Sequence, residues 1–142
     1  MNKKELMYKR IADHGNKLNE IFGLSEDPIT LCKRLHRLER EANRKMVAYC
    51  NGDTEHLVRI GRRPFFTYHV TGVTSQDIDT YQEKSLIPRL AKIVGADNME
   101  KIYINRDPRG YTLKLTEAES LRHTGVHKDL GGYVIIAPDF SE

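Results

Sequence analysis

An apolar stripe at helical spacing through residues 28–50 constrains the fold more than any other feature of the chain. Its members are Leu31, Leu35, Leu38, Ala42, Met46 and Tyr49. Steps of three and four residues place them on one face of a helix. Asp27 can cap the N-terminus, Pro28 suits the first turn, and Asn51-Gly52 suits the end. The segment predicts a long amphipathic helix that buries one face in a packed domain.

Residues 3–22 carry a second stripe of the same kind, followed by Gly23, which suits a C-terminal cap. The stripe consists of Met7, Ile11, His14, Leu18, Ile21 and Phe22. Two long amphipathic helices joined by a short connection favour an antiparallel helical hairpin.

The pattern changes after residue 52. The runs "HLVRI" and "PFFTYHVT" predict short strands, because they are rich in β-branched and aromatic residues. Residues 75–94 predict a third helix that Pro88 kinks or splits and Gly95 ends. A hairpin at 101–115, a short polar helix at 116–122 and a last strand, "GYVIIAP", follow. Helices that precede most of the strands indicate an α+β fold, with a small antiparallel sheet formed mainly by the C-terminal half.

The length of 142 residues predicts a single domain, 1–142, in which a helical hairpin (1–50) joins a mixed α/β part (56–142). No apolar run approaches the ~20 residues of a membrane helix, and no apolar core follows the N-terminal lysines. Cys32 and Cys50 would lie about 27 Å apart on one helix, too far for a disulfide. We therefore expect a cytoplasmic protein with reduced thiols and no membrane partner.

The charge pattern leaves two interpretations of the second helix open. The chain is mildly basic, with a net charge of +3. Opposite its apolar stripe the helix carries Lys33, Arg34, Arg37, Glu39, Arg40, Glu41, Arg44 and Lys45. This face is either a solvated surface or, since its arginines recur at steps of three and four, a ridge that faces a polyanion.

The stretch "KIYINRDPRGYTLKL" predicts a β-hairpin with a well-specified turn. Asp107 can bond to a backbone amide two residues on, Pro108 presets the next dihedral angle, and Gly110 tolerates the exit. The turn would present Arg106 and Arg109 on a rigid support. Strand alternation predicts that Ile102 and Ile104 face Leu113 and Leu115, with Tyr103 and Lys114 on the opposite face.

A second pair of arginines, Arg62 and Arg63, lies in "GRRP", predicted as a loop before an aromatic strand. Guanidinium groups make charge-assisted hydrogen bonds to phosphate or carboxylate, and aromatic rings add stacking surface. We therefore expect an anionic ligand, either nucleic acid or another phosphate-bearing ligand, bound by arginine-bearing loops. The predicted ligand-binding residues are Arg62, Arg63, Arg106, Arg109 and Lys114.

The segments "INRDPRGYTLKL", "HKDLGGYVIIAPDF" and "LCKRLHRLEREANRKMVAYCNG" resemble uncharacterised small proteins encoded by bacteriophages, prophages and other mobile elements. The Asp-Pro-Arg-Gly-Tyr turn and the Gly-Gly-Tyr strand are the most specific parts of the resemblance. It implies an accessory protein in the cytoplasm of a bacterial or phage-infected host cell. It assigns no role to any residue.

Two alternatives to a non-enzymatic binding protein remain open. A small enzyme acting on a phosphate-bearing substrate could use His123, His127 or Asp129 as acid–base groups. A structural or interaction protein could form a homo-oligomer through the helical hairpin. The sequence assigns no catalytic residue, no metal ligands and no cofactor.

Overall fold

The computed structural model describes residues 1–51, 58–60, 63–65, 79–107, 110–124 and 134–140, with the backbone alone at 45–51, 58–60, 63–65, 106–107, 110 and 124. Helices α1 (Lys3–Phe22) and α2 (Pro28–Asn51) form the N-terminal part. Strands β1 (Val58–Ile60) and β2 (Arg63–Phe65) follow as a small antiparallel pair. A third helical region leads to the hairpin of β3 (Ile102–Asp107) and β4 (Gly110–Leu115), and then to a further helix. The α+β class is confirmed.

Capping contacts mark both ends of α1 and the beginning of α2. Asn2 accepts the Glu5 amide at the start of α1, and Gly23 ends that helix in the left-handed conformation at φ 66°. Asp27 accepts the Thr30 amide at 2.9 Å, which confirms its role as the N-cap of α2. The hydrogen bonds from Thr30 lower the pKa of the Asp27 carboxyl.

The two helices pack as an antiparallel pair. The Cys32 thiol reaches the carbonyl of Ile11 at 3.6 Å, and Gly15 lies directly against the backbone of Pro28. A side chain at Gly15 would collide with that backbone, so the glycine permits the close crossing. The α2 side chains that the stripe predicts to be buried are buried as far as side chains are described: Leu31, Leu35, Leu38 and Ala42. Met46 and Tyr49 lie outside the described side chains.

The third helical region covers residues 79–94 and changes its type before Pro88. Gln82–Leu86 is π-helical, and the Ile87 amide donates to the Gln82 carbonyl five residues back. Regular helix α3 (Ile87–Val94) then carries Pro88 in its first turn and ends at Gly95. The interruption predicted from Pro88 is confirmed, since proline cannot donate to a carbonyl in the preceding turn. Residues 75–78, with which the predicted helix begins, lie outside the described residues.

Strands β3 and β4 pair in the predicted register. Ile102 lies opposite Leu115, Ile104 opposite Leu113, and Tyr103 opposite Lys114. A 3-10 turn (Ala96–Lys101) leads into this hairpin, and helix α4 (Glu117–Thr124) follows it. The fully buried core joins the hairpin to the helices through Leu18, Leu31, Leu35, Leu86, Leu90, Val94, Leu113, Leu115 and Ile136.

In its described part, residues 134–138, the predicted last strand forms little regular strand. Within 134–140 the backbone forms a single antiparallel bridge, Ile135 to Lys114, and then bends. The Leu115 amide donates to Val134, and the Ile136 amide donates to Leu113, both at 2.9 Å. The chain bends here because the side chains of both Ile136 and Ala137 are buried in the core. In addition, Pro138 has no backbone N–H with which a strand could continue its hydrogen bonds.

Candidate functional site: a basic groove along helix α2

A groove of about 850 Å³ runs along the outer face of α2. Its other walls are the start of α1, with Met7 and Tyr8, and the C-terminal segment at 137–140. We call this hollow the α2 groove. Its volume lies near the upper end of the range of about 300–1,000 Å³ for small-molecule pockets, so it has room for more than a single anion.

One side of the α2 groove is a row of cations. Lys33, Arg37, Arg40 and Arg44, here called the basic row, recur at steps of three and four and are all exposed. At about 1.5 Å per residue the row is about 16 Å long. Among the described residues, no acidic side chain forms an ion pair with a member of the row. The row therefore presents a line of positive charge to the groove, which the nearby carboxyl groups of Glu39, Glu41 and Asp139 offset only in part.

A smaller hollow of about 230 Å³ lies on the opposite flank of the same helix face. Arg34, Arg37, Arg89 and Lys92 line it, so Arg37 borders both hollows. Arg89 forms an ion pair with Glu41 at 2.6 Å. The hydrogen bond from Arg89 lowers the pKa of the Glu41 carboxyl. The arginines that recur along α2 thus form a ridge, and a hollow lined by basic residues lies on each side of it.

The inner wall of the α2 groove is built on the outer edge of β4. Glu39 accepts the Leu113 amide at 3.0 Å, and Asn43 accepts the Tyr111 amide. Side chains four residues apart on a helix lie on one face, and amides two residues apart on a strand point to the same side. One turn of α2 therefore matches two residues of β4, and the two hydrogen bonds form side by side. Helix α2 is thereby fixed against the hairpin, and the basic row faces outward.

Burial raises the pKa of Glu39 to about 7, with the nearby charge of Asp139 acting in the same direction. The hydrogen bond from the Leu113 amide opposes this shift. At neutral pH Glu39 is about half protonated, so it cancels only part of the positive charge of the groove.

The remaining walls combine aromatic and polar groups. His36 Nε2 lies 3.6 Å from Asp139 Oδ1, and the His36 and Phe140 rings are 5.7 Å apart between centroids. Tyr8, on α1, is partly exposed at the rim. The lining of the groove therefore combines the cations of the basic row with the aromatic rings of Tyr8 and Phe140 and the carboxyl group of Asp139.

Of the residues predicted to bind the ligand, Lys114 has its side chain described. It is buried, and its ammonium lies 5.3 Å from the centroid of the Tyr103 ring, its cross-strand neighbour. This is a cation–π distance, and Lys114 does not line the α2 groove.

Two of the four arginines predicted to bind the ligand, Arg63 and Arg106, have a described backbone position. Arg63 begins strand β2 opposite Ile60, so it is not in a loop as the sequence indicated. Arg106 lies opposite Tyr111, whose amide bonds to Asn43, so this end of the hairpin adjoins the part of α2 that carries Arg44. Arg62 and Arg109 lie outside the described residues, and convergence of the four arginines stays a prediction.

The histidines of the enzyme alternative are described in part. His123 Nε2 lies 3.4 Å from Glu119 on α4, whereas His127 and Asp129 lie outside the described residues. Within the described part of the chain, no three His, Cys, Asp or Glu side chains come together as a metal site.

The sequence alone missed the roles of Glu39 and Asn43. Glu39 was grouped with the charged face of α2, although its position between Leu35 and Ala42 already puts it at the border of the buried stripe.

No family model, curated protein or solved structure matches the chain in comparisons with known proteins. Among the described helices, none has both the length and the apolar character needed to cross a membrane.

Proposed function

We propose that the protein is a non-enzymatic binding protein for an anionic polymer, with nucleic acid as the leading candidate, and that the basic row along the α2 groove is its contact surface. The observation that carries this proposal is the basic row, exposed along a groove and without ion pairs to the acids of the described chain. Electrostatic attraction to phosphates is the main source of affinity in sequence-independent nucleic-acid binding.

The site differs from the one that the sequence indicated, because it lies on a helix face instead of on loops. The two are compatible, since the end of β3 that carries Arg106 adjoins the same part of α2. The phage or mobile-element setting and the cytoplasmic location stay predictions. So do the enzyme and oligomer alternatives.

The test is fluorescence anisotropy with a labelled oligonucleotide across about 50 to 200 mM salt. We expect affinity to fall steeply with salt. The double variant Arg37→Ala/Arg40→Ala should bind at least about tenfold more weakly and lower the salt slope by about 2, since each lost phosphate contact lowers it by about 1.

The matched control is Arg122→Ala, which removes an exposed arginine of α4 that lines neither hollow. It should bind like the wild type. Equal binding by the wild type and the double variant, with circular dichroism showing that both are folded, would overturn the proposal.

A further inference from the structure

The walls of the α2 groove that face the basic row are not basic. Tyr8 and Phe140 line them, and both rings keep some exposure, 39% for Tyr8. The Phe140 ring is held at 49° to the His36 imidazole, so its position in the groove is supported. A ligand lying along the basic row would therefore contact aromatic rings on its other side.

This combination discriminates between forms of nucleic acid. In a duplex the base faces are stacked on one another and only phosphates and groove edges are accessible, whereas a single strand can turn its bases onto aromatic side chains. The basic row is about 16 Å long, so it can contact several successive phosphates of one strand.

Resting on the proposed function, we infer that the α2 groove takes single-stranded nucleic acid, with phosphates along the basic row and bases against Tyr8 and Phe140. The arginines supply attraction without regard to sequence. The rings supply the preference for a strand whose bases are unpaired.

The first experiment compares three labelled ligands by anisotropy: a single-stranded oligonucleotide, its duplex, and an abasic strand of equal length. The wild type should bind the single strand about fivefold or more tighter than the other two. Tyr8→Ala should lose about five- to twentyfold on the single strand and little on the abasic strand, whereas Tyr8→Phe, which keeps the ring, should bind like the wild type. Tyr103→Ala is the control, because Tyr103 is similarly exposed at 47% but lies outside the groove.

A second measurement uses the absence of tryptophan from the chain. Tyr8→Trp places the single tryptophan of the chain at the rim of the groove, and stacking of a base should quench its emission when the single strand binds but not when the abasic strand binds. Tyr103→Trp should show no such difference.

The outcomes separate the two proposals. Binding of all three ligands with equal affinity, lost in Arg37→Ala/Arg40→Ala but unaffected by Tyr8→Ala, keeps the polyanion function and overturns the single-strand inference. Tighter binding of the duplex overturns the inference in the same way. Failure of every ligand to bind overturns both.

Discussion

The carboxylate of Glu39 on α2 accepts the backbone amide of Leu113 on β4 at 3.0 Å, so a helix side chain completes the outer edge of a strand. Asn43, one turn further on, does the same for Tyr111. An unpaired strand edge is open to pairing with other chains, and these two side chains cover it together with the C-terminal segment at 134–136. The same contacts fix the orientation of the basic row, so packing of the hairpin and exposure of the arginines depend on one arrangement.

Replacing Asn43 tests whether this edge contact is structural. Asn43→Ala leaves the amide of the buried Tyr111 without its acceptor, and we expect a loss of about 1–3 kcal/mol in the free energy of unfolding by urea. Asn16→Ala makes the same change at an exposed position of α1 and should stay within about 0.5 kcal/mol of the wild type. Equal effects of the two substitutions would refute the role of Asn43.

The pKa of Glu39 predicts a pH-dependent stability. Because the pKa is about 7 in the folded protein and 4.5 is its ordinary value, the folded state holds the proton more tightly. This contribution to stability is full below about pH 4.5 and is lost as the pH rises to about 7. Glu39→Gln keeps an acceptor for Leu113 without the charge. Relative to the wild type, it should be near neutral at about pH 4.5 and stabilising by about 1–3 kcal/mol at about pH 8.

Urea unfolding at the two pH values checks this expectation, with Glu20→Gln, an exposed glutamate of α1, as the control. The control should show no comparable gain at high pH. If Glu39→Gln has the same effect at both pH values, then the folded pKa of Glu39 is not raised.

Gly15 makes the close crossing of α1 and α2 testable. Alanine in a helix normally stabilises it relative to glycine by about 0.5–1 kcal/mol. At Gly15 the added methyl group would meet the Pro28 backbone, so we expect Gly15→Ala to lower the thermal midpoint and cost about 1–3 kcal/mol. Lys17→Ala, at an exposed position of the same helix, adds no group against Pro28 and should cost less. A raised midpoint for Gly15→Ala would show that the helices do not cross there.

Glu41 competes with any external anion for Arg89. Glu41→Gln removes the acid that pairs with this arginine at 2.6 Å and should tighten oligonucleotide binding about two- to fivefold, as expected for one charge at a partly exposed site. Because the pair is partly exposed, the free energy of unfolding should change by less than about 1 kcal/mol. Glu100→Gln, an exposed glutamate outside both hollows, is the control. Unchanged affinity for Glu41→Gln would exclude Arg89 from the binding surface.

Most of the correctly predicted features of the fold depend on short stretches of sequence. The bounds of α1, the Asp27 cap, the interruption before Pro88 and the register of Ile102 with Leu115 follow from periodicity, capping and alternation within short stretches. In its described part the last strand was overpredicted, because the apolar run "VIIA" looks the same whether it extends a sheet or, as at Ile136 and Ala137, turns into the core.

The candidate site needed tertiary contacts that lie far apart in sequence. The arginine steps on α2 were visible as one of two interpretations, but the groove requires Tyr8 and Phe140 to come to the same helix face. The role of Glu39 depends on Leu113, which lies 74 residues away. The periodicity of a single segment cannot predict a contact between two residues so far apart in the chain. The sequence therefore favoured the hairpin arginines as the ligand-binding site.

The most direct test of the account is an amide-resolved NMR titration of isotope-labelled protein with a single-stranded oligonucleotide at low salt. We expect the largest shift changes at residues 33–44 of α2, with smaller ones at Tyr8 and at Arg89 and Lys92 of α3. Shift changes confined to residues 62–63 and 106–109, with α2 unaffected, would contradict the groove and place binding on the arginine-bearing loops.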